Sequence, residues 1–186
     1  MGGSALLVMD VQRDVVDIVG DRSGYLQRLR GAIDGARAAG IPVIYVVMRL
    51  TAGDPPVSAR SKVGTNVVQA GLFTEGAPGT EIHPEIAPEP GEVVVVKRRA
   101  SAFSGSDLDL VLRARDIDRV VLAGIATSAV VLSTACRAID MDLGLTVLVD
   151  GCLDTDAELH RVITENLFPL WGNALTIDEW LASIAP

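Results

Sequence analysis

The chain has 186 residues, 49% of them apolar, and a net charge of −8. It is long enough to bury a sizeable core and too apolar for disorder, and no apolar run nears the roughly 20 residues of a membrane span. The acidic balance speaks against nucleic acid or an anionic membrane as partner, since both need a basic footprint, yet a few local cations would still admit an anionic small substrate. Two cysteines, Cys136 and Cys152, are too few for a disulfide framework and fit a reducing compartment, so a cytoplasmic location is expected. The opening MGGSALLVMD has no basic region before Asp10, so it does not read as a signal peptide, and Leu6 stands where N-myristoylation needs Ser or Thr.

In chain order, short β-branched runs alternate with helical patterns. Strands are expected at Ala5–Met9, Pro42–Met48, Val93–Val96, Arg119–Ala123, Leu145–Val149 and, weakly patterned, Ala174–Ile177. Between the first two, Leu26, Leu29, Ile33 and Ala36 recur at helical spacing over Tyr25–Ala39 before Gly40. Further helices are expected at Ser106–Arg115, Thr127–Leu143, Thr155–Leu167 and Asp178–Ile184. Strands that are apolar throughout are buried on both faces, which implies a mostly parallel sheet between two helical layers. The expected fold is α/β: a three-layer αβα, Rossmann-like domain over residues 1–186 with about six strands. Only Arg49 to Gly91 breaks the alternation, with Asp54-Pro55-Pro56, Gly76-Ala77-Pro78-Gly79 and prolines at 84, 88 and 90 around a short helix near Val63–Ala70. So long a loop-rich insertion reads as a lid, an arm for a partner, or a plain surface excursion.

In an open α/β sheet, ligands sit outside the carboxyl ends of the strands. The first strand ends in Asp10, followed by Val11, Gln12, Arg13 and Asp14; the third ends in Lys97. The fourth runs through Gly124-Ile125-Ala126-Thr127-Ser128-Ala129-Val130 into a helix. A carboxylate and a lysine leaving neighbouring strands can meet at one edge of the sheet. Each alone also has a plain reading, a turn cap for Asp10 and a solvated end for Lys97. His83 and His160 stand apart in the sequence, so neither points to a metal.

The blocks LLVMDVQRD, VVVKRRASAFSGSDLDLVLR and VVLAGIATSAVVLSTACRAIDMDLGLTVLVDGC, in this order, resemble the motifs of isochorismatase-like hydrolases. In that superfamily an Asp, a Lys and a Cys form the catalytic group, and a non-proline cis peptide precedes the nucleophile helix. The resemblance implies Asp10 and Lys97 as the first two, a cis bond at Ile125–Ala126, and an oxyanion hole from the backbone N–H groups of Ala126 and Val130. The nucleophile of the pattern Gly-x-x-Thr-x-x-Cys-Val falls on Val130. Cys136 lies six residues on, about 240° round a helix, and reads as a small buried side chain; Cys152 lies outside the motif.

Without a thiolate the acyl-enzyme route of the family's amidases is closed. The resemblance supplies another route: its isochorismatases cleave vinyl ethers with the Asp as general acid and no cysteine. The expected activity is therefore hydrolysis of an enol-pyruvyl ether by Asp10. The alternatives are amide or ester hydrolysis by water held between Asp10 and Lys97, or a degenerate member that binds without turnover. Gln12 is expected to help place substrate, Arg49, Arg60 and Lys62 to grip its carboxylates, and Phe103 to wall the pocket, although solvated charge and core packing suit the last four as well. The family's nicotinamidases carry metal-binding His after the second strand, whereas residues 49–70 here contain none, so no metal or other cofactor is expected. Relatives form dimers or tetramers, and a C-terminal helix bearing Trp180 would suit a homo-oligomer.

Overall fold

The computed structural model describes residues 2–20, 24–54 and 57–185; Pro55 and Pro56 of the insertion lie outside them. The elements are β1 (Gly3–Met9), α1 (Arg13–Val19), α2 (Tyr25–Ala38), β2 (Val43–Met48), α3 (Lys62–Gln69), β3 (Val93–Lys97), α4 (Leu108–Ala114), β4 (Ile117–Ile125), α5 (Leu132–Asp140), β5 (Gly144–Leu153), α6 (Ala157–Val162), α7 (Phe168–Trp171), β6 (Asn173–Leu175) and α8 (Ile177–Ile184). All neighbouring strands pair in parallel, in the order β3-β2-β1-β4-β5-β6. The order reverses between β1 and β4, which makes the carboxyl ends of those two strands the natural ligand crevice.

Alternation along β1 shows why its strand is apolar throughout. Ala5, Leu7 and Met9 face one core with Leu108 and Leu112 of α4 and Ala135 and Ala138 of α5. Leu6 and Val8 face the other, against Leu26, Leu29 and Ile33 of α2 and Trp180 of α8. Each of the leucines, Ile33, Val8 and Met9 contributes about 1.5–3 kcal/mol when fully buried, so neither helical layer is dispensable. Helix α8 starts one residue before the expected position because Thr176 and Glu179 form a reciprocal cap, with Glu179 N–H donating to Thr176 Oγ1 at 3.2 Å and Thr176 N–H to Glu179 Oε2 at 2.8 Å. Trp180 is 4% exposed and is spent on the chain's own core, so it is not available to hold another copy.

Three segments depart from the sequence expectations. Helix α1 was not anticipated. The helix expected over 127–143 opens with a π-helical turn, Thr127–Val131, before α5. The one expected over 155–167 is α6 followed by a second π-helical turn, Ile163–Leu167. The insertion contains α3 and two short 3-10 turns, Pro78–Thr80 and Pro84–Ile86, and is pinned by bridges pairing Gln12 with Ile82 and Leu50 with Thr74. Among the described residues, no helix is long and apolar enough to cross a membrane.

Candidate active site

Asp10 follows directly on β1 with φ of 54°, a left-handed conformation that Asp tolerates better than most residues. Its N–H still donates to Val46 O at 2.8 Å, so the turn begins only after the last ladder bond. The side chain meets Lys97, the last residue of β3, with Nζ 2.8 Å from Oδ2. Lys97 is 1% and Asp10 6% exposed, so this is a buried pair. The Lys97 ammonium also donates to Arg99 O at 3.1 Å. Asp10 Oδ1 is buried with no hydrogen-bond partner among the described residues. Burial drives the Asp10 carboxyl above the usual carboxylate range, and the attraction and hydrogen bond of Lys97 only partly offset it.

The neighbouring wall is built by the end of β4. Gly124 has φ of 147°, and a Cβ there would come within 2.1 Å of Met9 O, so only glycine lets β4 pass β1 beside Asp10. The Ile125–Ala126 peptide is cis. Thr127–Val131 then turns into α5. Thr127 Oγ1 donates to Leu153 O at 3.1 Å and lies 2.8 Å from His160 Nδ1, while Ser128 N–H donates to Asp154 Oδ2 at 2.7 Å. Asp154 is 4% exposed. Burial pushes its carboxyl up, but bonds from Ser128, Asp156 and Thr155 outweigh this and hold it below the usual range. His160 is shifted down by burial, against the pull of Asp154 and Glu165. Asp154 and His160 thus anchor the turn that carries Ala126 and Val130; from the sequence Asp154 was passed over and His160 was weighed only as a metal ligand.

Asp10, Lys97, Ala126 and Val130 line one cavity of about 410 Å³. Val130 is 1% exposed and also packs into the core beneath, so its methyls form a floor. Neither cysteine lines the cavity. Cys136 on α5 is half-buried rather than fully buried. Cys152 pairs with Gly124 inside the sheet rather than at the rim, and burial pushes its thiol up to about 12. A larger cavity of about 610 Å³ lies against Leu50, Thr65 and Val68 within the insertion. It meets no strand-end acid or lysine, so the smaller cavity is the candidate site.

The expected substrate contacts need correction, because none of them lines that cavity. Gln12 is fully buried and its amide is spent on backbone: Nε2 donates to Met48 O at 3.0 Å and Thr80 O at 2.6 Å, and Oε1 accepts from Met48 N–H at 3.0 Å. It ties the end of β2 to the insertion. Arg49 faces a separate cleft with Thr80 and Glu81, Arg60 and Lys62 are exposed, and Phe103 packs against the core. In their place stand Arg98 and Arg99, directly after Lys97, with Thr155 and an apolar lining from Val15, Ile18, Val63, Val67, Leu72 and Phe73. The two arginines were legible in KRRASAF beside a strand-end lysine. Among the described residues, no group of three His, Cys, Asp or Glu gathers in a way that could hold a metal ion.

An isochorismatase domain matches residues 4–179. The isochorismatase family protein YwoC of Bacillus subtilis is 31% identical over 182 residues, covering 97% of this chain and 94% of that protein. Ureidoacrylate amidohydrolase RutB of Variovorax paradoxus is 30% identical over 206 residues, covering 98% of this chain and 82% of RutB. A crystal structure of a cysteine hydrolase from Pseudomonas syringae superposes with a TM-score of 0.85 over 97% of this chain and 92% of its own; at 23% identity that likeness speaks for the fold alone. With a family match over nearly its whole length and the same architecture, the chain belongs to the isochorismatase family of hydrolases.

Proposed function

We propose that the protein hydrolyses a small enol ether of the enol-pyruvyl type, with Asp10 as general acid and no covalent intermediate. One observation carries this reading: Asp10 presents a buried, unpartnered oxygen in a cavity whose floor is the Val130 side chain rather than a thiol. Burial raises the Asp10 carboxyl above its ordinary range, which is the direction a general acid needs. The proton passes from Asp10 to the terminal =CH2 carbon, leaving an oxocarbenium ion. Water adds to that cation and returns a proton to the Asp10 carboxylate. The resulting hemiketal separates into pyruvate and the alcohol. Lys97 holds Oδ2 and so aims the other oxygen. Where negative charge gathers on oxygen, the N–H groups of Ala126 and Val130 at the head of the α5 run are the donors we assign to it.

A second reading rests on the same pair. The 2.8 Å contact between Lys97 and Asp10 favours an ionised carboxylate, which would orient water toward an amide or ester, and RutB is named an amidohydrolase. A turnover screen with isochorismate and simple 2-alkoxyacrylates beside a set of linear ureas and amides separates the two. Pyruvate release is the expected result. Ammonia release without pyruvate would move the assignment to amide hydrolysis, and neither product would leave a binding member of the family.

A further inference from the structure

We infer that Phe73 is the specificity-determining residue of the site, and that it selects a substrate whose group beyond the reacting atoms is an uncharged hydrocarbon. The inference rests on the reading that reaction occurs at Asp10, and it names the substrate class for that reaction and the residue that chooses it.

Among the described residues, four other than glycine have φ in the left-handed region: Asp10, Phe73, Asp116 and Asp142. Three are aspartates, whose short polar side chains tolerate that conformation. Phe73, with φ of 61°, has no such allowance, and a bulky residue there is strained. Two of the four, Asp10 and Phe73, line the same cavity. The surroundings hold Phe73 where it is. Gly71, with φ of 68°, closes the end of α3 through its N–H to Val68 O at 3.1 Å. Three residues on, Thr74 is bridged to Leu50, whose N–H donates to Phe73 O at 2.7 Å, and Thr74 Oγ1 donates back to Gly71 O at 3.1 Å. The chain therefore turns twice between Gly71 and Thr74, and Phe73 makes the second turn without glycine's freedom. Core packing does not offset the strain, since Phe73 belongs to neither of the two cores. Its aromatic surface is left for the cavity.

The wall around Phe73 has the same character. Val15 and Ile18 of α1, Val63 and Val67 of α3, and Leu72 line the cavity with it, and none brings a charge. The charged wall residues come from the strand ends instead, Asp10 after β1 and the run from Lys97 to Arg99 at the end of β3. Helix α3 buries none of its residues, so its valines are open to a ligand. The cavity thus joins a polar part, where the acid sits, to an apolar part built by α1 and the insertion. A charge directed into the apolar part would be desolvated with no counter-charge, and a hydroxyl would lose most of its hydration. A hydrocarbon group gains there, by about two- to fourfold in affinity for each methylene buried. In the enol-ether reaction this group is the alkoxy part that leaves as the alcohol.

The test uses saturated mimics that lack the reacting double bond, 2-methoxy-, 2-propoxy- and 2-pentoxypropanoate, together with their primary amides, so that the result does not hang on the charge of the head group. Dissociation constants are measured by calorimetry on the full chain. In at least one of the two series, affinity is expected to rise by about two- to fourfold per methylene. Replacing the pentoxy tail by the isosteric 4-hydroxybutoxy tail should weaken binding by at least about fivefold. Phe73→Gly removes the ring and relieves the strained backbone, so the chain should stay folded while the dependence on tail length flattens. Phe73→Leu should keep part of that dependence. Ile18→Ser, at a position 58% exposed and so tolerable in the fold, should weaken it from the facing helix. The inference is overturned if neither series tightens with tail length, if the hydroxylated tail binds as well, if no probe binds, or if Phe73→Gly, folded by its melting curve, keeps the parent's dependence. Turnover of 2-pentoxyacrylate is scored separately. Phe73-dependent binding without pyruvate release would overturn the enol-ether reading and leave the assignment of Phe73 standing.

Discussion

Two carboxylates flank the end of β4, and they are buried almost equally: Asp10 is 6% and Asp154 4% exposed. Their protonation is pushed in opposite directions. Asp154 accepts from Ser128 N–H, Asp156 N–H and the Thr155 hydroxyl, so its negative charge is solvated by the protein and its carboxyl sits low. Asp10 receives one strong partner on Oδ2 and none on Oδ1, so desolvation prevails and its carboxyl sits high. Burial alone therefore does not mark a carboxyl as an acid. The number of donors aimed at its oxygens decides between an anchor and a reagent.

If that contrast governs function, the largest effect belongs to Asp10→Asn. It keeps the shape and removes the transferable proton, and turnover should fall by about 10²–10⁴-fold while the melting curve still reports a folded chain. Near-normal turnover would take Asp10 out of the chemistry. Lys97→Met tests the opposing cation. Without it the Asp10 carboxyl should rise further, and the rate limb that falls with rising pH should move up by about 1–3 pH units. A limb that stays in place would mean another group sets it.

The smallest effect is expected at the anchor. Asp154→Ala leaves the half-buried Ser128 N–H without its carboxylate partner and should cost about 1–3 kcal/mol of stability in urea unfolding. The linkage runs oppositely for the two acids. Because the folded Asp154 carboxyl lies below its ordinary 3.8, its contribution is full above that pH and is lost as pH falls through the folded value. Asp154→Asn should thus flatten the acid side of the stability profile. Asp10, raised in the fold, contributes most below 3.8 and loses that contribution as pH rises through its folded value. An unchanged acid limb in Asp154→Asn would remove the contrast.

Local composition was enough for most of the sheet, since strands covered on both faces must be apolar at every position, as Ala5–Met9 and Val43–Met48 are. The same logic placed Asp10 and Lys97 at strand ends, because a charge can follow such a run only where the sheet stops. Helix α1 escaped because Arg13–Val19 is short and β-branched, and its apolar residues serve two masters: Val16 and Val19 are buried in the core, while Val15, Ile18 and Val19 itself line the cavity. No single face repeats. Likewise nothing in the spacing of Gln12 reveals that Met48 and Thr80 will claim its amide from 36 and 68 residues away.

What residue order determined by itself was burial, hence the parallel sheet and the positions of Asp10 and Lys97 along it. What only the tertiary structure decided was direction. Arg49, Arg60, Lys62 and Arg99 are equivalent as cations on paper, and a loop's composition does not say which way it faces. The folded chain turns the first three away and puts Arg99 at the cavity, through one ammonium that holds both Asp10 and the Arg99 carbonyl. A cavity wall is assembled from segments far apart in sequence, and its chemistry exists only once the sheet order has brought them together.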